Sequence, residues 1–187
     1  MTSLWITPLL ALAATTAFGG AGNGSDVKTA TQEGTGCKKN GAVENWIAVD
    51  GSELRFQTPD LKPTAAGRLH CETTLVITHK GSGRLRPTAF SFAYMAQLEN
   101  GVKGDVTVSY RFKDSTESGA GKLVVDKAGD TAMHDEKVSV EPKAGPCGSQ
   151  TTLIVDVSAG LDGAAAKASK LKVTRLGMLA LDWESCK

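Results

Sequence analysis

The sequence has 187 residues and a nearly balanced charge, with 21 lysines and arginines against 20 aspartates and glutamates. A formal net charge of +1 leaves no strongly basic stripe, so the composition argues against a nucleic-acid-binding protein. The length suits one domain with a sizeable core. Beyond the N-terminal segment no window is apolar enough to span a bilayer, so we expect no membrane span.

The N-terminal segment has the pattern of a secretory signal peptide. Residues 1–21 carry no charge, and their apolar centre is followed by small side chains. An apolar first strand of the mature fold is the alternative. We expect the rest of the chain to be secreted. Residues 22–36 should form a flexible lead-in, and residues 37–187 should form one domain. Asn23 begins an Asn-Gly-Ser glycosylation pattern within this lead-in.

Four cysteines follow this leader, at Cys37, Cys71, Cys147 and Cys186. An even count behind a signal peptide predicts two disulfides. Three pairings are possible, and we favour Cys37–Cys71 with Cys147–Cys186, because each closes a loop of middling length within one half of the chain. Zinc is the competing interpretation, but no two cysteines have the short spacing of a zinc knuckle. We therefore expect structural disulfides and no metal.

Short alternating runs separated by turn residues predict an all-β fold. In residues 105–113, apolar side chains at every second position alternate with polar ones, as in a strand with one solvent-facing side. Weaker runs of this kind bring the total to about eight strands. Glycine-rich runs at residues 81–83 and 118–121 predict turns between them. We expect an antiparallel β-sandwich, with a closed barrel as the nearest alternative.

Short motifs around the cysteines occur in a recognisable order. They are Gly36-Cys37, Cys71 before a β-branched strand, Pro146-Cys147-Gly148, and Trp183-Glu184-Ser185-Cys186. With these motifs, the chain resembles the secreted four-cysteine family filed as domain of unknown function 4360. The resemblance covers nearly all of the chain after the leader. The resemblance implies secretion, two disulfides and a β-sandwich. It implies no reaction, because the family has no assigned catalytic residues.

The residues that could support catalysis form no recognisable constellation. No serine lies in a Gly-x-Ser-x-Gly elbow, and no glycine-rich phosphate loop precedes a helix. His134-Asp135-Glu136 brings three potential metal ligands together, but neighbours on a strand point to opposite faces. Paired carboxylates for glycoside cleavage can come from anywhere in a chain, and the strand-borne acids Glu53, Asp105, Asp156 and Asp182 are not otherwise distinguished. We predict no catalytic residue and no cofactor, and we keep a glycoside hydrolase as a minor alternative.

Two features of the sequence predict binding. Trp46 is the one aromatic side chain, outside the leader and the predicted core, that could stack on a sugar ring. Lys80, Arg84 and Arg86 lie together on a predicted turn, where they could contact a polyanion or an acidic protein, although such a cluster is more often a solvated loop.

We therefore interpret the chain as a secreted, monomeric protein that acts by binding, leaning against an enzyme. Its partner would be an extracellular protein or glycan, in the manner of a fungal effector with a role in virulence. An extracellular module that binds cell-wall polysaccharide is the alternative function.

Overall fold

The computed structural model describes residues 26–37, 45–47, 51–57, 60–64, 66–126, 132–174 and 176–186. Every strand pair in this part of the chain is antiparallel. The ten strands are β1 (Asp26–Glu33), β2 (Asn45–Ile47), β3 (Glu53–Gln57), β4 (Gly67–Gln97), β5 (Lys103–Phe112), β6 (Ser118–Val125), β7 (Met133–Ser139), β8 (Gly148–Asp162), β9 (Lys170–Val173) and β10 (Leu176–Ser185). The predicted all-β antiparallel class is confirmed. Among these residues, no helix is long and apolar enough to cross a membrane.

The 31-residue strand β4 organises the sheet, because its two segments pair with different strands. Residues 67–78 lie between β1 and β8, and β5 and β6 continue beyond β8; we call this the β8 half. Residues 83–97 lie between β7 on one edge and β10 and β9 on the other, and β3 and β2 continue beyond β10; we call this the β10 half. The strands therefore form one continuous sheet joined through β4.

Both halves of the sheet contribute to one apolar core. In the β8 half, alternation along β4 buries Leu75 and Ile77, and in the β10 half it buries Phe90 and Phe92. Burying a side chain of this size stabilises a fold by about 1.5–3 kcal/mol. Because side chains from both halves belong to the same buried cluster, the sheet curls around a single core.

The glycine-rich run at residues 81–83 lies inside β4, so the predicted turn is wrong. At Gly83 the strand changes partners, pairing with Gly148 of β8 and with Ser185 of β10. The register with β8 shifts between Thr78 and Gly83, so the pairing is interrupted without reversal of the chain. Glycine permits such an irregularity within a strand as readily as it permits a turn.

A β-bulge at Thr88 changes the side-chain alternation of β4. Ala180 of β10 pairs with Ala89, whereas the next residue, Leu181, pairs with Pro87, so Thr88 is an extra residue in the ladder. Its hydroxyl donates to the Ala180 carbonyl oxygen at 3.3 Å. The bulge shifts the buried positions from odd-numbered to even-numbered residues, so the core-facing side of β4 stays apolar on both sides of it.

Residues 118–121, also predicted as a turn, form the first half of β6. Their glycines are required by packing, because a Cβ on Gly119 would collide with the carbonyl oxygen of Glu141, and one on Gly121 with that of Ser139. The Glu141 N–H donates to a β6 carbonyl oxygen at 3.3 Å. The chain after β7 therefore contacts β6 directly and links the free edges of the two halves.

The flexible lead-in predicted for residues 22–36 is also corrected, because residues 26–33 form β1. This strand pairs with residues 72–78 of β4 and covers the edge of the β8 half. Its polar, threonine-containing sequence lacks the apolar alternation on which the prediction relied, whereas an edge strand needs only the backbone of one partner. The predicted signal peptide and Asn23 lie outside the described residues.

Both disulfides have the favoured pairing. Cys37–Cys71 links the segment after β1 to β4, and Cys147–Cys186 links the start of β8 to the end of β10. No cysteine is free. The second bridge joins the two halves of the sheet close to the point where β4 changes partners.

Candidate functional site

The outward face of the β10 half carries an open groove of about 400 Å³, which we call the central groove. Strands β3, β10, β4 and β7 supply most of its lining. Its lining includes the side chains of Arg55, Ser91, Ala93, Asp135, Lys137 and Met178.

One row of paired residues crosses the central groove. Arg55 pairs with Met178, Met178 with Ser91, and Ser91 with Lys137. Directly paired residues share a face of a sheet, so all four side chains project away from the core. Arg55 donates a hydrogen bond to the Glu53 carboxylate at 3.3 Å, which restrains its guanidinium on this face. The row therefore places a cation at each end and a hydroxyl and a thioether between them.

The central groove combines charged sides with an apolar centre. Lys137 and Asp135 are exposed on β7, and the Arg55 side chain is 39% exposed on β3. Between them, Met178 and Ala93 are half-buried and present apolar surface. Apolar surface with a few well-placed polar groups is typical of sites that bind organic ligands. The groove suits a ligand that offers both C–H surface and hydroxyl groups.

Trp46, predicted to stack on sugar, belongs to β2 and pairs in register with Arg55. Its backbone thus extends the row that crosses the central groove by one more strand. Its side chain lies outside the described part of the structure, so sugar stacking stays a prediction.

The basic segment predicted as a turn lies on β4, where its two arginines pair with acids of β10. Arg84 lies 3.3 Å from Glu184, and Arg86 contacts Glu184 at 3.0 Å and Asp182 at 2.8 Å. The hydrogen bond to Asp182 raises the pKa of Arg86 above its usual value. Both arginines are therefore engaged within the sheet. A binding role for them, or for the exposed Lys80, stays a prediction.

Three of the four strand-borne acids considered for glycoside cleavage form ion pairs with arginines, and the fourth, Asp156, contacts a histidine ring. Asp105 accepts hydrogen bonds from Arg68, the longer at 2.7 Å, and Asp156 lies 3.4 Å from His70 Nδ1. The other two acids pair with arginines of the β10 half. Each of the four acids therefore has a basic partner on the outward face: Glu53 within its own strand, and the other three on a different strand.

The His134-Asp135-Glu136 segment lies on β7, where alternation separates its side chains. Asp135 lines the central groove, whereas His134 stacks on Tyr94 with the ring centroids 5.2 Å apart. Among the residues that the structure describes, no group of three or more histidines, cysteines and acids could hold a metal ion. This alternation along β7 is the reason why the sequence predicted that the three side chains would converge poorly on one metal.

Sequence reasoning missed Arg55, Met178 and Lys137 as parts of one site. The alternation of Arg55 with two buried neighbours does indicate that it points outward. Strand pairing brings these residues together from three distant parts of the chain, and no local pattern encodes that pairing.

A family model described as "Domain of unknown function (DUF4360)" matches residues 23–186. The chain belongs to this family. The resemblance inferred from the cysteine motifs is therefore confirmed over nearly the whole domain. No curated protein matches this DUF4360 chain.

Among solved structures, the DUF4360 chain matches TmCBM61 in complex with β-1,4-galactotriose. The match has 14% sequence identity and a TM-score of 0.32, and it covers 81% of this chain and 88% of the other. A likeness this weak supports no inference about the fold or ligand of the chain.

Proposed function

We propose that this protein binds a glycan outside the cell through the central groove, without converting it. The row from Arg55 to Lys137 supports the proposal, because it places hydrogen-bonding groups around the apolar surface at Met178. A sugar ring offers the matching combination, with hydroxyls at its rim and C–H groups on its faces. An indole at Trp46 beside this row would add a stacking surface.

A blocking substitution in the groove tests the proposal. Ala93 is half-buried between Asp135 of β7 and Thr174, both of which line the groove, so Ala93→Phe fills it. The matched control is Ala120→Phe, on β6 of the β8 half. The proteins are incubated with insoluble chitin, cellulose and β-glucan, and both protein depletion and released reducing sugar are measured.

We expect at least one glycan to deplete the wild-type protein without releasing sugar. Ala93→Phe should weaken this binding at least tenfold, which corresponds to about 1.4 kcal/mol, whereas Ala120→Phe should bind like the wild type. Thermal unfolding of each variant checks that it is folded. Absence of depletion by every glycan, or equal binding by both variants, would contradict the proposal, and sugar release would identify an enzyme.

Trp46 gives a second and independent test of the same site. Trp46→Ala should weaken glycan binding by about 0.5–1.5 kcal/mol, because it removes the ring that we propose stacks on the sugar. Trp46→Phe retains a ring and should recover most of the affinity. If Trp46→Ala binds like the wild type, Trp46 takes no part in the site.

Secretion is part of the proposal and is supported by the two disulfides, which persist in oxidising compartments. The mass of the secreted protein should correspond to residues 22–187. Glycosylation at Asn23 would add mass that Asn23→Gln removes. A secreted product that retains residues 1–21 would contradict the signal-peptide prediction.

The effector-like role is a narrower form of this proposal, in which the glycan belongs to another organism. It is tested by comparing binding to walls of the producing organism with binding to walls of candidate hosts. Preference for a host wall would support the role, and preference for the producer's own wall would contradict it.

A further inference from the structure

A second groove of about 350 Å³ lies on the outward face of the β10 half, next to the end of β4. Residues 62–64, β9 and β4 form its walls. Lysine side chains project from two of these walls, at Lys62, Lys170 and Lys172, so we call it the lysine groove. Most of the surface between them is apolar and includes Met95.

The central groove and the lysine groove follow the same row of side chains along β4. Ser91, Ala93, Met95 and Gln97 alternate with buried residues and therefore share the outward face. The first two line the central groove and the last two line the lysine groove. At the rise of a β-strand, this row spans about 20 Å, which is enough for several linked sugar rings.

The lysine groove carries an excess of positive charge. Asp60 is the acid that pairs with its lysines, lying 3.1 Å from Lys62 and 3.7 Å from Lys172. The Asp60 side chain is only 12% exposed, whereas that of Lys62 is 57% exposed and accessible to a ligand. Lys170 is exposed on β9, opposite Gln97. Among the residues that the structure describes, Asp60 contacts two of the three lysines that line the groove, so the lysines outnumber the acid that pairs with them and the groove is complementary to an anion.

We propose that the glycan is a linear anionic polysaccharide, with its neutral ring faces on β4 and a carboxylate group in the lysine groove. This inference rests on the proposed function and specifies the class of its ligand. An exposed lysine that meets a carboxylate contributes a factor of up to about five in affinity. Two or three such contacts should make the acidic form of a polymer bind at least tenfold more tightly than its neutral form.

The test uses polymers that differ only in charge. One pair is polygalacturonate and its fully methyl-esterified form, and the other is soluble cello-oligosaccharide and its C6-carboxylated derivative. We measure the Kd of the wild-type protein for all four, at low and at high salt. We expect the acidic member of at least one pair to bind at least tenfold more tightly at low salt, with the preference shrinking at high salt.

Substitution of the lysines identifies the groove responsible. The Lys62→Gln/Lys170→Gln double variant should lose most of the acidic preference while it keeps its affinity for the neutral polymer. Lys113→Gln, in the exposed turn after β5, is the matched control and should behave like the wild type. Thermal unfolding verifies that all three proteins are folded.

The outcomes separate this inference from the proposed function. Equal affinity for acidic and neutral polymers, or an acidic preference that survives the double substitution, would overturn the inference and leave glycan binding intact. Failure of the wild-type protein to bind any polymer would overturn both.

Discussion

The hydroxyl of Tyr110, on β5, joins two parts of the sheet that are distant in the chain. It donates a hydrogen bond to the Glu141 carbonyl oxygen at 2.7 Å and accepts one from the Lys143 N–H at 2.7 Å. The side chain is only 2% exposed, so these partners replace the water that the hydroxyl has lost. One residue thus anchors the segment after β7 to the β8 half.

Alkaline pH should weaken this anchor. Burial raises the pKa of Tyr110 above its usual value of about 10. The folded state therefore keeps the proton after the unfolded state has lost it. The stabilisation is fully present below the unfolded pKa and is lost as the pH rises through the raised folded pKa.

We expect Tyr110→Phe to lower the free energy of unfolding by about 1–3 kcal/mol at neutral pH, because Glu141 and Lys143 lose a buried partner. The variant should also show a shallower loss of stability above about pH 10 than the wild type. Urea unfolding at pH 7 and in the alkaline range measures both effects. An identical alkaline slope in the two proteins would show that Tyr110 does not control it.

Gly119, on β6, allows the Glu141 carbonyl oxygen and the Tyr110 ring to approach the backbone of that strand closely. A Cβ at this position would collide with the Glu141 carbonyl oxygen and would lie 2.6 Å from the Tyr110 ring. We expect Gly119→Ala to destabilise the protein by about 1–3 kcal/mol. In Gly148→Ala the new methyl group would meet its nearest neighbour at 3.4 Å, so this control should change stability little. Thermal unfolding compares them, and equal midpoints would contradict the packing explanation.

At the scale of the element, the sequence predicted strands well wherever one face of the strand is buried and the other is exposed to solvent. Residues 105–113 were predicted as a strand, and β5 covers Lys103–Phe112. The long β4 could not be predicted as one element, because glycines interrupt it at residues 81–83 and Thr88 breaks its alternation. In both places the conformation depends on partner strands from elsewhere in the chain.

The candidate site was harder to predict than the strands, for a related physical reason. Alternation indicates that Arg55 and Ser91 point outward, but only the register of β3, β10 and β4 makes them neighbours. The same holds for Arg84, which the sequence presented as a free cation and which pairs with Glu184. Charge along a strand cannot be interpreted without its cross-strand partner.

The Cys147–Cys186 bridge fixes the end of β10 beside the start of β8. Its two cysteines are 39 residues apart, so the chain-entropy treatment gives a stabilisation of about 4 kcal/mol. We expect the Cys147→Ser/Cys186→Ser double variant to lose about 2–4 kcal/mol in urea unfolding. A loss below about 1 kcal/mol would mean that the paired strands hold the two ends together without the bridge.

For the molecule as a whole, the connection through β4 has a consequence for unfolding. The β8 half and the β10 half share this one strand, one buried cluster and the contact between β6 and the chain after β7. Neither half could retain its buried face if the other unfolded. The physical unit of stability is therefore the entire curled sheet, including the outward face that carries both grooves.

A substitution in either half should therefore lower the free energy of unfolding of the whole sheet, which should still unfold in one common transition. Leu75→Ala lies in the β8 half and Phe90→Ala in the β10 half, and both side chains are fully buried. We expect losses of about 2–5 kcal/mol for the leucine and about 3–5 kcal/mol for the phenylalanine, because each leaves a cavity in the same core. Far-UV circular dichroism and tryptophan fluorescence should report one coincident transition for each protein. If Leu75→Ala instead splits the unfolding curve and shifts only its first step, the halves unfold separately. The grooves would then owe their stability to the β10 half alone.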